Sequence, residues 1–210
     1  MLKKAYILSA IILLADQISK IWVKSTMSLG EEFSVLGDWF YIHFTENPGM
    51  AFGMEFGGDF GKVTLSLFRI LAVIGLSYYI FKLVKENAPK GVVYSFSLIL
   101  AGALGNILDS AFYGLIFDSG TTYNAAANSW MGYYGVSNID FGGYTNFLTG
   151  CVVDMLYFPL FEGYLPNWVP FWGGEYFLFF RPVFNIADVA ISTGVGIIIV
   201  FHRRFFIEQT

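Results

Sequence analysis

Four apolar runs, roughly Ala5–Val23, Val63–Val84, Val92–Phe117 and Phe184–Phe201, dominate what this chain can become. Each approaches the ~20 residues with which a helix crosses a ~30 Å hydrocarbon core. The last is the shortest, and Asp188 interrupts its start. Only 13% of the 210 residues are charged, against about 25% in an ordinary soluble domain, so lipid is the solvent for much of the chain. Lys3-Lys4 followed by the apolar stretch from Ala5 to Leu14 can open a secretory signal peptide. The stretch continues past Asp16 to Val23 with no small-x-small cleavage site after it, so an uncleaved first transmembrane helix is expected.

Lys3, Lys4, Lys82, Lys85, Lys90, Arg203 and Arg204, seven of the twelve basic residues, fall on one side of these spans. The positive-inside rule then makes both termini cytoplasmic and turns the two long loops outward. The loop 24–62 contains Trp39-Phe40-Tyr41-Ile42-His43-Phe44 between Gly and Pro punctuation, which reads as short strands and turns. The stretch 118–182 includes a segment rich in Gly, Asn, Tyr and Ser, expected as a cap of turns and short strands. The expected fold class is all-α membrane: a single polytopic domain over 1–210, with four transmembrane helices, an outer β-rich cradle at 24–62 and an outer insertion at 118–182. No basic patch suggests nucleic acid. Cys151 is alone, which excludes an internal disulfide and a multi-cysteine metal site. His43 and His202 lie in no zinc-binding spacing, so neither metal nor cofactor is expected.

Ionisable side chains inside spans cost ~2.5–3.5 kcal/mol each at a helix centre, so those present need a reason. Asp16 and Lys20 are four residues apart on one helix face, where a structural ion pair with Lys20 snorkelling outward is expected. The third span holds Asn106-Ile107-Leu108-Asp109 and the fourth begins Asn185-Ile186-Ala187-Asp188. Each is Asn-x-x-Asp, and the opposite running directions bring both toward the outer leaflet. Interhelical hydrogen bonding is the structural alternative for such residues. Asp154 sits in the apolar run Cys151–Phe158, too short to span. A surface-loop acid is the structural alternative for Asp154 taken alone; with Asp188 it suggests a carboxylate pair. Two adjacent carboxyls do not both ionise readily, so one can activate water while the other donates a proton to a scissile carbonyl. In Asn47-Pro48-Gly49-Met50-Ala51-Phe52-Gly53, glycine permits close approach to a ligand backbone and Asn47 can hydrogen-bond it.

Taken together, Asp16…Lys20, Asn47–Phe52, Gly102-Ala103-Leu104-Gly105-Asn106-Ile107-Leu108-Asp109, Val152-Val153-Asp154 and Phe184–Asp188 resemble, in order and over all four runs, the lipoprotein signal peptidases (signal peptidase II) of bacteria. The resemblance implies Asp154 and Asp188 as a catalytic aspartyl dyad. It also implies Asn47, Asn106, Asp109 and Asn185 as residues that shape the site or hold substrate, beside Gly49, whose lack of a side chain suits close approach of a substrate backbone. The implied activity is removal of the signal peptide from a diacylglyceryl-modified prolipoprotein, cut just before the lipidated cysteine. The implied setting is the bacterial cytoplasmic (inner) membrane, with prolipoprotein and membrane lipid as partners and a monomer as the working form.

Two departures stand out. The family usually carries Arg directly after the third-helix acid, where this chain has Ser110, and the stretch from Asp109 to Asp188 is long. Arg181, four residues before Asn185, is the expected substitute for gripping substrate, with Arg69 the other cation within reach. Leu148-Thr149-Gly150-Cys151 mimics a lipobox deep in the chain and is expected to be coincidence. The rival readings are a small transporter or proton relay, which needs ionisable groups through the full membrane depth, and a non-catalytic scaffold, which gives no reason for paired Asn-x-x-Asp motifs.

Overall fold

In the computed structural model the described residues are 1–49, 58–179 and 182–201. Three long helices form the scaffold: α1 (Leu2–Thr26), α2 (Gly58–Lys85) and a helical run opening with α3 (Lys90–Leu108). The last continues through a π-helical turn, Asp109–Tyr113, and a closing turn, Gly114–Ile116. All three are long and apolar enough to cross a bilayer. A fourth helix, α4 (Ile186–Val200), is apolar and has 15 residues.

The expected fourth span starts at Phe184, but α4 begins two residues later for a local reason. Phe184 is committed to extended pairing: its N–H donates to Leu156 O at 3.0 Å, and its carbonyl accepts from Leu156 N at 2.7 Å. Asn185, still extended, is the N-cap. The all-α expectation is also too narrow, because the described residues carry strands in three small sheets. One has the order β1 (Glu32–Leu36), β2 (Phe40–Asn47), β5 (Val152–Tyr157); the others are the hairpins β3–β4 (Thr122–Asn124, Ser129–Met131) and β6–β7 (Phe161–Tyr164, Tyr176–Phe179).

α3 is the central helix. Small residues let its neighbours approach closely: a Cβ on Gly102 would meet the Ala187 carbonyl oxygen at 2.2 Å, and one on Gly105 would meet Asp16 Oδ2 at 2.5 Å. Away from the sheets the core is built from Ala5, Ile80, Leu83, Val92, Val93 and Leu100, with the buried hydroxyls of Ser9 and Ser97 bonded to backbone carbonyls. Toward the sheets, Val23, Met27, Phe44, Tyr113, Phe117, Val153 and Met155 form a second core. Large side chains such as Ile11, Leu14, Ile18, Phe68 and Leu71 stay exposed on α1 and α2, a face suited to lipid.

β2 and β5 run antiparallel in a register that puts Thr45 opposite Asp154 and Asn47 opposite Val152. A buried ion pair between Lys24 and Glu46 ties α1 to β2. The Lys24 ammonium lies 5.0–5.1 Å from the ring centroids of Phe117, Tyr133 and Tyr144, and Glu46 also accepts from Thr121 N at 2.6 Å. This ammonium, sheltered by aromatic faces, anchors the inserted segment to the scaffold.

Candidate active site

The N-terminus of α4 meets the sheet-side end of α3 and strand β5, and this junction gathers the polar residues of the spans. Asn185 and Asp188 form a capping box: Asp188 N donates to Asn185 Oδ1 at 3.0 Å, and Asn185 N donates to Asp188 Oδ2 at 3.3 Å. The fourth-helix Asn-x-x-Asp is therefore a helix start, and the box turns the Asn185 amide toward β5. Its Nδ2 lies 2.6 Å from Asp154 Oδ1, 3.2 Å from Asn106 Oδ1 and 3.3 Å from the Val153 carbonyl oxygen. Asn47 Nδ2 donates to the other oxygen of Asp154 at 3.3 Å, and Asn106 Nδ2 donates to Asp188 Oδ1 at 3.0 Å. Each of the two acids thus receives a side-chain amide and is tied to Asn185.

Below this layer lies Lys20, with no exposed surface. It does not snorkel outward as expected: its ammonium lies 2.9 Å from Asp16 Oδ2, 2.8 Å from Asp109 Oδ2 and 2.9 Å from Asn106 Oδ1. The reason is local demand, since two buried carboxylates there need a cation. Lys20 has only donors, so it fixes Asn106 Oδ1 toward itself and leaves the NH2 to face Asp188. The remaining lone pairs are also used. Asp16 Oδ1 accepts from Ala187 N in the first turn of α4 at 2.9 Å, and Asp109 accepts from Gln17 Nε2 at 2.8 Å and Val153 N at 3.3 Å. Asp16 thereby holds α4, while Asp109 holds the strand that carries Asp154. Asp109 has no exposed surface and sits beneath the site. Sequence reading missed Gln17, although an amide beside Asp16 in an apolar run was a visible signal.

Asp154 is buried, and its carboxyl is pushed up to about 7, first by burial and next by the Asp188 carboxylate. A group poised near neutrality, beside a second carboxyl, can exchange a proton at little cost. Gly49 lies at the rim with φ of 95°, its N–H donating to Asn47 Oδ1 at 2.8 Å, which sets the Asn47 amide toward Asp154. A Cβ there would stand 3.9 Å from an Arg69 guanidinium nitrogen. Of the carboxylates, Asp188 acts most strongly on the Arg69 guanidinium, with Asp154 and Asp109 next. Arg181 and residues 50–53 lie outside the described residues. Ser110 is buried and donates to Asn106 O at 3.0 Å. The lipobox-like cysteine is buried, its thiol 3.6 Å from Lys62 Nζ and pushed up to about 11 by burial, which disfavours the reactive thiolate.

A family model described as signal peptidase (SPase) II matches residues 8–204. The chain belongs to the signal peptidase II family. A lipoprotein signal peptidase of Porphyromonas gingivalis is 49% identical over 198 residues, covering 94% of this chain and 81% of the relative. One from Amoebophilus asiaticus is 41% identical over 215 residues, covering 100% of this chain and 82% of the relative. Two solved structures described as bacterial membrane enzymes share the fold. One has a TM-score of 0.63 at 23% identity, covering 99% of this chain and 92% of that one. The other has a TM-score of 0.58 at 25% identity, covering 94% and 91%. As a signal peptidase II, the chain is a multi-pass membrane protease, and the polar junction is its candidate active site.

Proposed function

We propose that the chain removes the signal peptide from diacylglyceryl-modified prolipoproteins, cutting before the lipidated cysteine by an aspartyl mechanism on Asp154 and Asp188. The observation that carries this reading is the pair of acids joined through Asn185, one on β5 and one in the first turn of α4. In this reading Asp154, poised near neutrality, holds the proton and donates it to the scissile carbonyl oxygen. Asp188, among the N–H donors of the α4 N-terminus, carries the charge and takes a proton from the attacking water. As the tetrahedral intermediate collapses, the proton gained by Asp188 passes to the leaving amine, and Asp154 regains its own from the intermediate. Asn47, Asn106 and Asn185 hold the acids in orientation, with Gly49 leaving room for the substrate backbone. Asp16, Lys20, Gln17 and Asp109 form the supporting layer.

The cation that faces this space is assigned to Arg69. Among the described residues its guanidinium has no hydrogen-bond or ion-pair partner, and Asp188 and Asp154 are the carboxylates that act on it most strongly, which supports the assignment. Arg181 remains a second proposed grip. The proposed setting is the bacterial inner membrane, with α4 completing a fourth crossing, both termini cytoplasmic, the sheets outside and the protein monomeric. The proton-relay alternative is disfavoured by the apolar core at the far end of the helices. Mass spectrometry of the product formed from a diacylated prolipoprotein tests the cut position. The mature product must begin with the lipidated cysteine; any other new N-terminus contradicts the proposal.

A further inference from the structure

The β6–β7 hairpin joins the two acid-bearing elements, β5 and α4, yet nothing in the site uses its tip. Leu160, Tyr164, Trp168, Phe171, Trp172 and Tyr176 all point outward, with Trp168 81% and Phe171 95% exposed. An exposed apolar cluster of this kind marks an interaction surface. The tip is a closed turn rather than a loose loop. Leu165 N donates to Glu175 O and Gly174 N to Leu165 O, both at 2.9 Å; Gly173 N donates to Val169 O at 3.0 Å and Glu175 N to Trp172 O at 3.1 Å. Phe171 takes a left-handed backbone, φ 70°, seldom adopted by a bulky residue.

We propose that this tip is a membrane-interface anchor, with Trp168, Phe171 and Trp172 seated between the headgroups and acyl chains of the leaflet on the sheet side. Three observations choose lipid as the occupant. The hairpin is rooted at the end of a membrane helix: Phe158, just before it, stacks on Phe40 at 4.6 Å and on Phe184 at 5.7 Å, and Phe184 precedes the N-cap of α4. The base of the hairpin is therefore held at the sheet-side end of a membrane helix. From 158 to 180 the chain has no Lys or Arg and only Glu162 and Glu175 as charges, so charge pairing is not its mode of attachment. Trp and Tyr, with a ring and one polar handle, suit the membrane boundary. Finally, the internally bonded turns reduce the cost of bringing this backbone toward lipid. Seated there, the tip fixes β5 and α4, and with them Asp154 and Asp188, relative to the membrane surface. The inference rests on the membrane setting of the family and not on the proposed chemistry.

The full chain carrying Trp22→Phe, Trp39→Phe and Trp130→Phe keeps only Trp168 and Trp172 as indoles. Reconstituted in phosphatidylcholine vesicles, its emission should be blue-shifted. It should be quenched more by lipids brominated near the headgroup end of the acyl chain than by those brominated near its tail, and shielded from aqueous iodide. Iodide quenching without bromine quenching overturns the proposal, because the tip is then in water. Insensitivity to both also overturns it, because protein then covers the tip. If the triple variant does not fold, a spin label on Trp168→Cys gives the same decision, since the buried Cys151 is a poor competitor for labelling. Greater accessibility to oxygen than to a water-soluble nickel complex is expected, and the reverse overturns the proposal.

Discussion

Asn185 Nδ2 lies 2.6 Å from Asp154 Oδ1, while Oδ1 of the same amide accepts the Asp188 backbone N–H at 3.0 Å. One side chain therefore caps α4 and sets the relation between the two acids. Asn185→Ala should cost about 0.5–2 kcal/mol of stability through the lost cap. Losing a hydrogen bond to the protonated Asp154 is worth ~0.5–1.5 kcal/mol, so kcat should fall about 2–10-fold with little change in KM. An unchanged kcat in the folded variant would remove Asn185 from the site.

Lys20→Met should be among the most destabilising single changes in the chain. It leaves Asp16 and Asp109 buried without their cation, a loss of about 3–5 kcal/mol for a broken buried pair. Thermal unfolding in detergent checks this, and a Tm close to the parent's would contradict the hub described for Lys20.

How much of this arrangement is legible in the sequence depends on which interaction fixes each residue. The polar residues of the junction stand out because they interrupt apolar runs, and opposite helix directions bring them to one end. The Asn-x-x-Asp spacing of Asn185 and Asp188 suggests two residues inside a span, whereas they are a cap and its N3 partner. A polar side chain followed three residues later by an acid, just before an apolar run, was the available sign. The inward turn of Lys20 was not legible, because it depends on Asn106 and Asp109 from another helix. The Lys24–Glu46 pair and the aromatic rings around it are likewise assembled from segments far apart in sequence. The late start of α4 follows from a bridge between Leu156 and Phe184 that no local pattern announces.

Asp154 gives the pH dependence a definite sign. Its folded-state value of about 7 lies above the ordinary 3.8, so the folded protein binds more protons than the unfolded chain between those values. This group's contribution to stability is then favourable at low pH and is lost as pH rises through about 7. Asp154→Asn should therefore raise Tm at pH values above about 7, with the gain vanishing below about 3.8. A gain of the same size at every pH would mean that burial of this carboxyl is not its cause.

Arg69→Ala should lower kcat/KM by about 10–100-fold if the guanidinium holds a substrate carbonyl, and Arg69→Lys should recover only part because it lacks the planar fork. Arg181→Ala provides the comparison. Full activity in Arg69→Ala together with loss in Arg181→Ala would return the grip to Arg181.

The most direct measurement is cleavage of a purified diacylated prolipoprotein by the reconstituted parent chain and by Asp154→Asn and Asp188→Asn, each first verified as folded. The parent should release a mature product starting at the lipidated cysteine, with a bell-shaped pH profile whose limbs belong to the pair rather than to either acid. Each variant should give no product above background. A parent that leaves this substrate intact, or either variant cleaving near the parental rate, would contradict the account.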